Sequence, residues 1–227
     1  MKISLLILAL IGICSTDPFV DNIRQNYSEK INNQLIQQIR LELEASYLYH
    51  AYSQYFSRGD VALPGFAKFF ESASKEEREH ATMLMDYVNK RGGYISLQNI
   101  QYKTMCDTIK QKDSELGFET DACICNFMSH KKDLKKEIVK DTCPEDRATW
   151  KNGLWAMQDA LVAERYVNSQ LLQLHSDADK TDAHLSHILE HHFLDEQVES
   201  IKKISDYITQ LERVGDGLGE YLFDKSL

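Results

Sequence analysis

Glu77 and His80 stand one helical turn apart in a row of otherwise apolar or small residues: Phe66, Phe70, Ala73, Leu84 and Tyr87. Their three- and four-residue spacing places all of them on one face of a helix, and such a face turns toward a core. An ionised carboxylate in apolar surroundings is very costly unless something neutralises it. A metal cation is the first candidate. Three other rows repeat the pattern: Leu35, Ile39, Glu42, Ser46, Tyr49, Ser53, Phe56; Leu154, Met157, Leu161, Glu164, Asn168, Leu171, His175; and Phe193, Gln197, Ile201, Ile204, Ile208, Leu211. Each carries an acid or an amide near the same level, and none carries a Lys or Arg that could pair with it. One glutamate at the edge of an apolar stripe normally keeps its head in water, and one histidine is normally a hydrogen-bonded core residue. Three acids converging with an imidazole and an amide are harder to explain that way. Oxygen-rich ligation with a single imidazole suits iron or manganese better than structural zinc. Two ions would share Glu77.

Five helical segments position these residues. The first runs from about Tyr27 to Phe56 and stops at Ser57-Arg58-Gly59-Asp60; the second starts near Pro64, tolerated in a first turn, and ends at Gly92-Gly93. The third starts between Pro144 and Trp150 and runs to about His175. The fourth follows Thr181-Asp182 and ends before Gly215, and a short fifth covers about Gly217 to Asp224. Four helices of ~27 residues are each ~40 Å long. The expected fold is all-α, a four-helix bundle with a short fifth C-terminal helix. Residues 94–143 connect the second and third helices. Crossing ~40 Å needs only ~12 extended residues, so this link is a long crossover that leaves those two helices parallel. It contains a basic cluster, Lys131, Lys132, Lys135 and Lys136, which reads as a solvated short helix.

The 227 residues are 43% hydrophobic with only three prolines, which fits one compact helix-rich domain. A net charge of −9 argues against nucleic acid or an anionic membrane surface as partner. Lys2 followed by the apolar run Ile3 to Cys14 reads as a secretory signal peptide, too short to span a bilayer, with cleavage near residue 16. The expected mature domain is 17–227, and no membrane span is expected in it. Asn26-Tyr27-Ser28 is a glycosylation sequon. Cys106, Cys123, Cys125 and Cys143 all fall within the crossover and suggest two disulfides in an oxidising compartment, Cys106 with one of the central pair and Cys143 with the other. Without a CxxC pair, a zinc site is the weaker reading.

Several separate runs resemble ferritin of the heavy-chain type. They are Leu41 to Tyr49, Asp60-Val61-Ala62-Leu63, Phe66-Ala67-Lys68, Glu76 to His80, Arg91-Gly92-Gly93, Glu196-Gln197-Val198 and Glu220 to Lys225, in family order and spacing. They cover about residues 27–100 and 148–227. The ligand pattern of a Glu with a Glu-x-x-His is an established one for ferritin-like di-iron bundles, not a deduction from spacing. The resemblance implies that Glu42, Glu77 and His80 hold one iron, that Glu77 bridges, and that Glu164 with Gln197 holds a second. Tyr49 matches a tyrosine beside the centre, and Glu76 and Glu79 match carboxylates that move iron toward a cavity. It implies two Fe(II) ions per subunit oxidised by O2, a ferric mineral store, and a cage of twenty-four subunits, homomeric or mixed with another ferritin chain. The short fifth helix, with Leu218, Leu222 and Ser226 on one stripe, would line a four-fold channel.

This sequence departs from the family in places. The three-fold channel through which iron enters has two acids in the family. Glu190 matches one, but His187 stands where an Asp is usual, and His175 matches a channel histidine. A ring there would make iron uptake pH-dependent near neutrality; the alternative is a solvated face shared by His184, His187 and His191. Thr82 replaces an acid associated with mineral nucleation. The signal peptide and the cysteine-bearing crossover resemble the secreted or yolk-type ferritins of invertebrates. Of the competing functions, a light-chain-like storage subunit would have lost the ligand set present here. A secreted signalling bundle would have no reason to bury it. A different di-iron oxidase would more often show two Glu-x-x-His motifs.

Overall fold

The computed structural model describes residues 22–100, 105 and 152–227. The leader, the four clustered cysteines and the lysine cluster lie outside the described residues. Helix α1 spans Glu29–Phe56, α2 Pro64–Lys90 and α3 Gly153–Ala178. The fourth rod is α4 (Ala183–Leu189), a π-helical turn (Glu190–Leu194) and α5 (Asp195–Val214); α6 (Leu218–Ser226) follows it. Among the described residues no helix is long and apolar enough to cross a membrane.

Cross-contacts give the direction of each rod. Asn32 meets Tyr94, Ser46 meets Ser74 and Phe56 stacks on Phe66, so α1 and α2 are antiparallel. Gln34 reaches Asp177, Tyr49 reaches Glu164 and Tyr52 reaches Asp159, so α1 and α3 are antiparallel too. Helices α2 and α3 therefore run parallel, as a long crossover requires. Tyr87 contacts Asp182, His80 contacts Phe193 and Phe69 contacts Tyr207, which closes the bundle with the fourth rod antiparallel to α2. Between them lies a continuous core that includes Leu35, Phe56, Phe70, Leu84, Met157, Leu171 and Leu189.

The ends of the helices have identifiable caps. Ser28, the third residue of the sequon, accepts a hydrogen bond from the Ile31 amide and so begins α1, while Asn26 is exposed. Helix α3 begins at Gly153, later than the window expected from sequence, because Asn152 accepts from the Trp155 amide. Helix α2 has no cap of its own. The buried Asp224 carboxylate on α6 accepts from the Gly65 and Phe66 amides instead, at 2.7 and 3.0 Å. Glu220 does the same for Gly153 at the start of α3. Helix α6 thus bridges the two parallel N-termini, where acids are favourable. Glycine is required at both starts: a Cβ on Gly65 would overlap the Asp224 backbone, and one on Gly153 the Phe66 ring. Asp224→Ala is expected to destabilise the fold by ~1–2 kcal/mol, the usual cost of losing a cap, read as a lower chemical-denaturation midpoint; an unchanged midpoint would show the cap to be energetically idle.

The π turn corrects the expectation of one uninterrupted fourth helix. Leu185, Leu189, Phe193, Gln197 and Ile201 follow one another at four-residue steps. At ~100° per residue, each step in an α-helix rotates the stripe by ~40°, so four steps would carry Ile201 to the opposite face. A wider turn, closed by the Asp195 amide on the Glu190 carbonyl, takes up part of that drift. Phe193 and Gln197 therefore both remain buried.

Candidate metal centre

Four rods deliver the predicted polar residues to one level. Glu42 comes from α1, Glu77 and His80 from α2, Glu164 from α3 and Gln197 from α5, and all five are buried. Ligand atoms of Glu42, Glu77 and His80 lie within 4.8 Å of one another. Nδ1 of His80 is 3.5 Å from Oε2 of Glu77. The Glu42 and Glu164 carboxyls both act on the protonation of Glu77, so the three acids share one neighbourhood. Phe193, delivered by the π turn, packs against the His80 ring at 5.1 Å between centroids.

Glu164 is held at both oxygens. Tyr49 donates its hydroxyl to Oε1 at 2.6 Å, and Gln197 donates Nε2 to Oε2 at 2.8 Å. Glu42 is held at one oxygen, Oε1, by Nε2 of Gln38 at 2.7 Å. Oε2 of Glu42, Oε2 of Glu77, Oε2 of Glu196 and Oε1 of Gln197 are buried and meet no hydrogen-bond donor among the described residues.

The electrostatics follow from that crowding. Burial, then the charges of Glu164 and Glu42, push the Glu77 carboxyl well above the usual carboxylate range. Burial also raises Glu164, although its bonds from Tyr49 and Gln197 favour the anion and oppose the rise. The Tyr49 phenol is pushed well up by burial and by Glu164. Glu196 is raised to about 8 by burial first, then by Glu164, Glu76 and Glu42. Buried carboxylates that repel one another and present oxygens without donors fit a polyvalent cation. Hard oxygens with one imidazole match the iron or manganese class.

Glu76, Arg78 and Glu79 are exposed beside the stripe, as the spacing predicts. Glu196 is a residue that sequence reasoning passed over. The charges of both the exposed Glu76 and the buried Glu164 act on it. Its only sequence signal is adjacency to Gln197. The channel candidates lie apart from the centre. Nε2 of His175 and Oε1 of Glu190 are 2.8 Å apart, joining α3 to the π turn. His187 pairs with His191 at 4.4 Å between ring centroids, but His184 stacks on Tyr87 instead of joining them. Thr82 is exposed and donates to the Arg78 carbonyl. On α6, Leu218 and Leu222 are 71% and 58% exposed.

A four-helix bundle with a buried, oxygen-rich cluster able to hold a metal ion defines the class of protein. A ferritin-like domain model matches residues 32–214. The chain is 47% identical to yolk ferritin of Lymnaea stagnalis, across 95% of this chain and 92% of that one. It is 45% identical to soma ferritin of the same snail, across 91% and 95%, and 42% identical to ferritin heavy chain of Echinococcus granulosus, across 89% and 94%. The chain belongs to the ferritin family, whose members bind and store iron and assemble as oligomeric cages.

Proposed function

We propose that this chain is a ferroxidase subunit. It oxidises Fe(II) with O2 at a di-iron centre within the bundle and stores the product as a ferric mineral inside a 24-subunit cage. The observation that carries this reading is the buried Glu42, Glu77 and His80 triad, whose ligand atoms lie within 4.8 Å of one another and include oxygens with no donor.

Iron is the substrate, and two Fe(II) ions supply two electrons to O2. Glu42, Glu77 and His80 take the first ion, and Glu77, whose protonation responds to both Glu42 and Glu164, bridges to the second. Glu164 and Gln197 take that second ion only after rearrangement, because both Glu164 oxygens are engaged. Rotating the Gln197 amide would turn its unpaired Oε1 toward the ion. Burial favours the protonated form of Glu77, so a cation that takes its carboxylate releases that proton. Tyr49 keeps Glu164 oriented throughout. Glu76, Glu79 and Glu196 carry Fe(III) away; the exposure of Glu76 and Glu79 beside the buried Glu77 and His80 suits that role. His175, His187 and Glu190 form the route by which iron enters, and Leu218, Leu222 and Ser226 line the four-fold channel; the exposure of both leucines suits an assembly contact. A light-chain-like structural subunit would have no use for the complete ligand set.

The same reading places the chain in the secretory pathway. Residues 1–16 are removed, residues 17–227 form the di-iron domain with its insertion at 94–143, and Cys106, Cys123, Cys125 and Cys143 form disulfides. Likeness to a yolk ferritin and the leader-like start support it. Anaerobic Fe(II) titration followed by O2 tests the centre. Two Fe(II) per chain are expected to oxidise in a fast first phase, in a particle whose size-exclusion mass is that of a 24-mer. A monomer-sized particle would remove the cage, and the lack of a fast phase would remove the ferroxidase.

A further inference from the structure

Glu42 and Glu77 are both buried acids of the same cluster, yet they are held differently. Glu77 leans on other acids and on His80, contacts that change as soon as a cation arrives. Glu42 is gripped by a neutral amide that has no part in the ligand set: Nε2 of Gln38 donates to Oε1 at 2.7 Å. Gln38 lies one turn earlier on α1, the spacing at which a glutamine and an acid meet on a helix face. It is only 2% exposed. A long, flexible side chain is rarely buried without a polar task, and this amide donates to Glu42.

The geometry points to Gln38 as a positioning residue that makes Glu42 a one-oxygen ligand. With Oε1 held by the amide, Oε2 is the oxygen left without a donor among the described residues, and Glu42 is one of the three residues, with Glu77 and His80, whose ligand atoms group together. Without the amide, the carboxylate rotates about its terminal bond and presents either oxygen, or both, to the ion. Outer hydrogen-bond partners of this kind orient ligands and set affinity. Gln197 plays the matching part on Glu164, but it is itself in the expected ligand set, whereas Gln38 only orients. The arrangement separates the two sites: the first is built before the ion arrives, and the second must be rebuilt around it. This inference rests on the di-iron reading and adds a residue to it.

The test uses Co(II), which does not react with O2 on binding as Fe(II) does and reports its geometry by visible absorption. In the assembled full-length protein, Gln38→Met removes the donor at nearly constant shape. The expected result is a first-site Co(II) dissociation constant raised about 10-fold, with an altered absorption spectrum. Second-site affinity and the thermal midpoint should stay near wild type, which a merely structural role would not allow. Gln37→Met, at the exposed neighbouring position, should change nothing. A Gln38→Met protein with wild-type affinity and spectrum overturns the inference. If that variant does not assemble, Gln38→Asn decides: it keeps the amide but lacks the reach, and wild-type binding by it overturns the inference equally. Failure of the wild type itself to bind Co(II) in a Glu77-dependent way would instead remove the di-iron reading, and this inference with it.

Discussion

Replacing Glu77 and His80 together by alanine is expected to slow the first phase of Fe(II) oxidation by at least about 100-fold. The estimate follows from the fact that losing even an outer partner of a metal ligand costs roughly 10–100-fold. This variant removes two of the three side chains whose ligand atoms converge within 4.8 Å. It also removes the carboxyl that the proposed centre shares between its two ions, so neither keeps that ligand. Stopped-flow absorbance after O2 mixing, on protein loaded anaerobically with two Fe(II) per chain, measures it. Slow oxidation will persist at any mineral surface, so the initial rate is the quantity to compare. Equal initial rates in wild type and variant would exclude the centre. Glu79→Ala is the counterpart: its carboxylate is exposed beside the stripe, so the first turnover should be kept and later turnovers slowed as Fe(III) fails to clear.

Metal-free protein should lose stability as pH rises, the reverse of most carboxylate effects. Glu77, Glu164 and Glu196 have carboxyls raised chiefly by burial. They keep protons in the fold that they would release in the unfolded chain. The folded state then binds more protons than the unfolded one, and stability falls with pH wherever that holds. For Glu196 the fall begins near the ordinary value of 4.5 and ends at about 8. Thermal midpoints of metal-free protein between about pH 5 and pH 8 should therefore decline, and saturating Co(II) should flatten the decline by replacing the protons. Glu77→Gln keeps the shape and removes one buried acid. At the alkaline end it should stabilise the metal-free protein by ~2 kcal/mol while abolishing tight metal binding. A midpoint that is flat or rising across the window, or a Glu77→Gln protein that melts earlier than wild type at its upper end, would contradict this account.

The centre was legible because a metal ligand inside a helical bundle violates a simple pattern. Glu42, Glu77, His80, Glu164 and Gln197 interrupt apolar stripes, and a stripe has a period that sequence displays directly. Glu196 and Gln38 were not legible. Glu196 sits beside a stripe, where a polar residue is ordinary. Gln38 shares a face with Leu35 and Glu42, but it is an uncharged side chain that calls for no cation. Only the burial and hydrogen bond of Gln38 and the charged neighbours of Glu196 reveal a task. The ring partner of His184 was not legible either: it shares an exposed face with His187 and His191, and only the fold brings it against Tyr87 from another rod.

The sequence by itself determined the number of long helices, the faces they bury, the parallel pair forced by a long crossover, and which side chains could neutralise a cation. Those features depend on periodicity and chain length, which are local quantities. The tertiary structure decided the rest. Asp224 and Glu220 cap helices that begin far away in the chain. A π turn keeps Phe193 and Gln197 on the core face despite their four-residue spacing. Gln38 leaves one oxygen of Glu42 for the ion. Each of these depends on which atoms meet across rods, and a one-dimensional pattern carries the phase of a helix but not the partner its side chains will find.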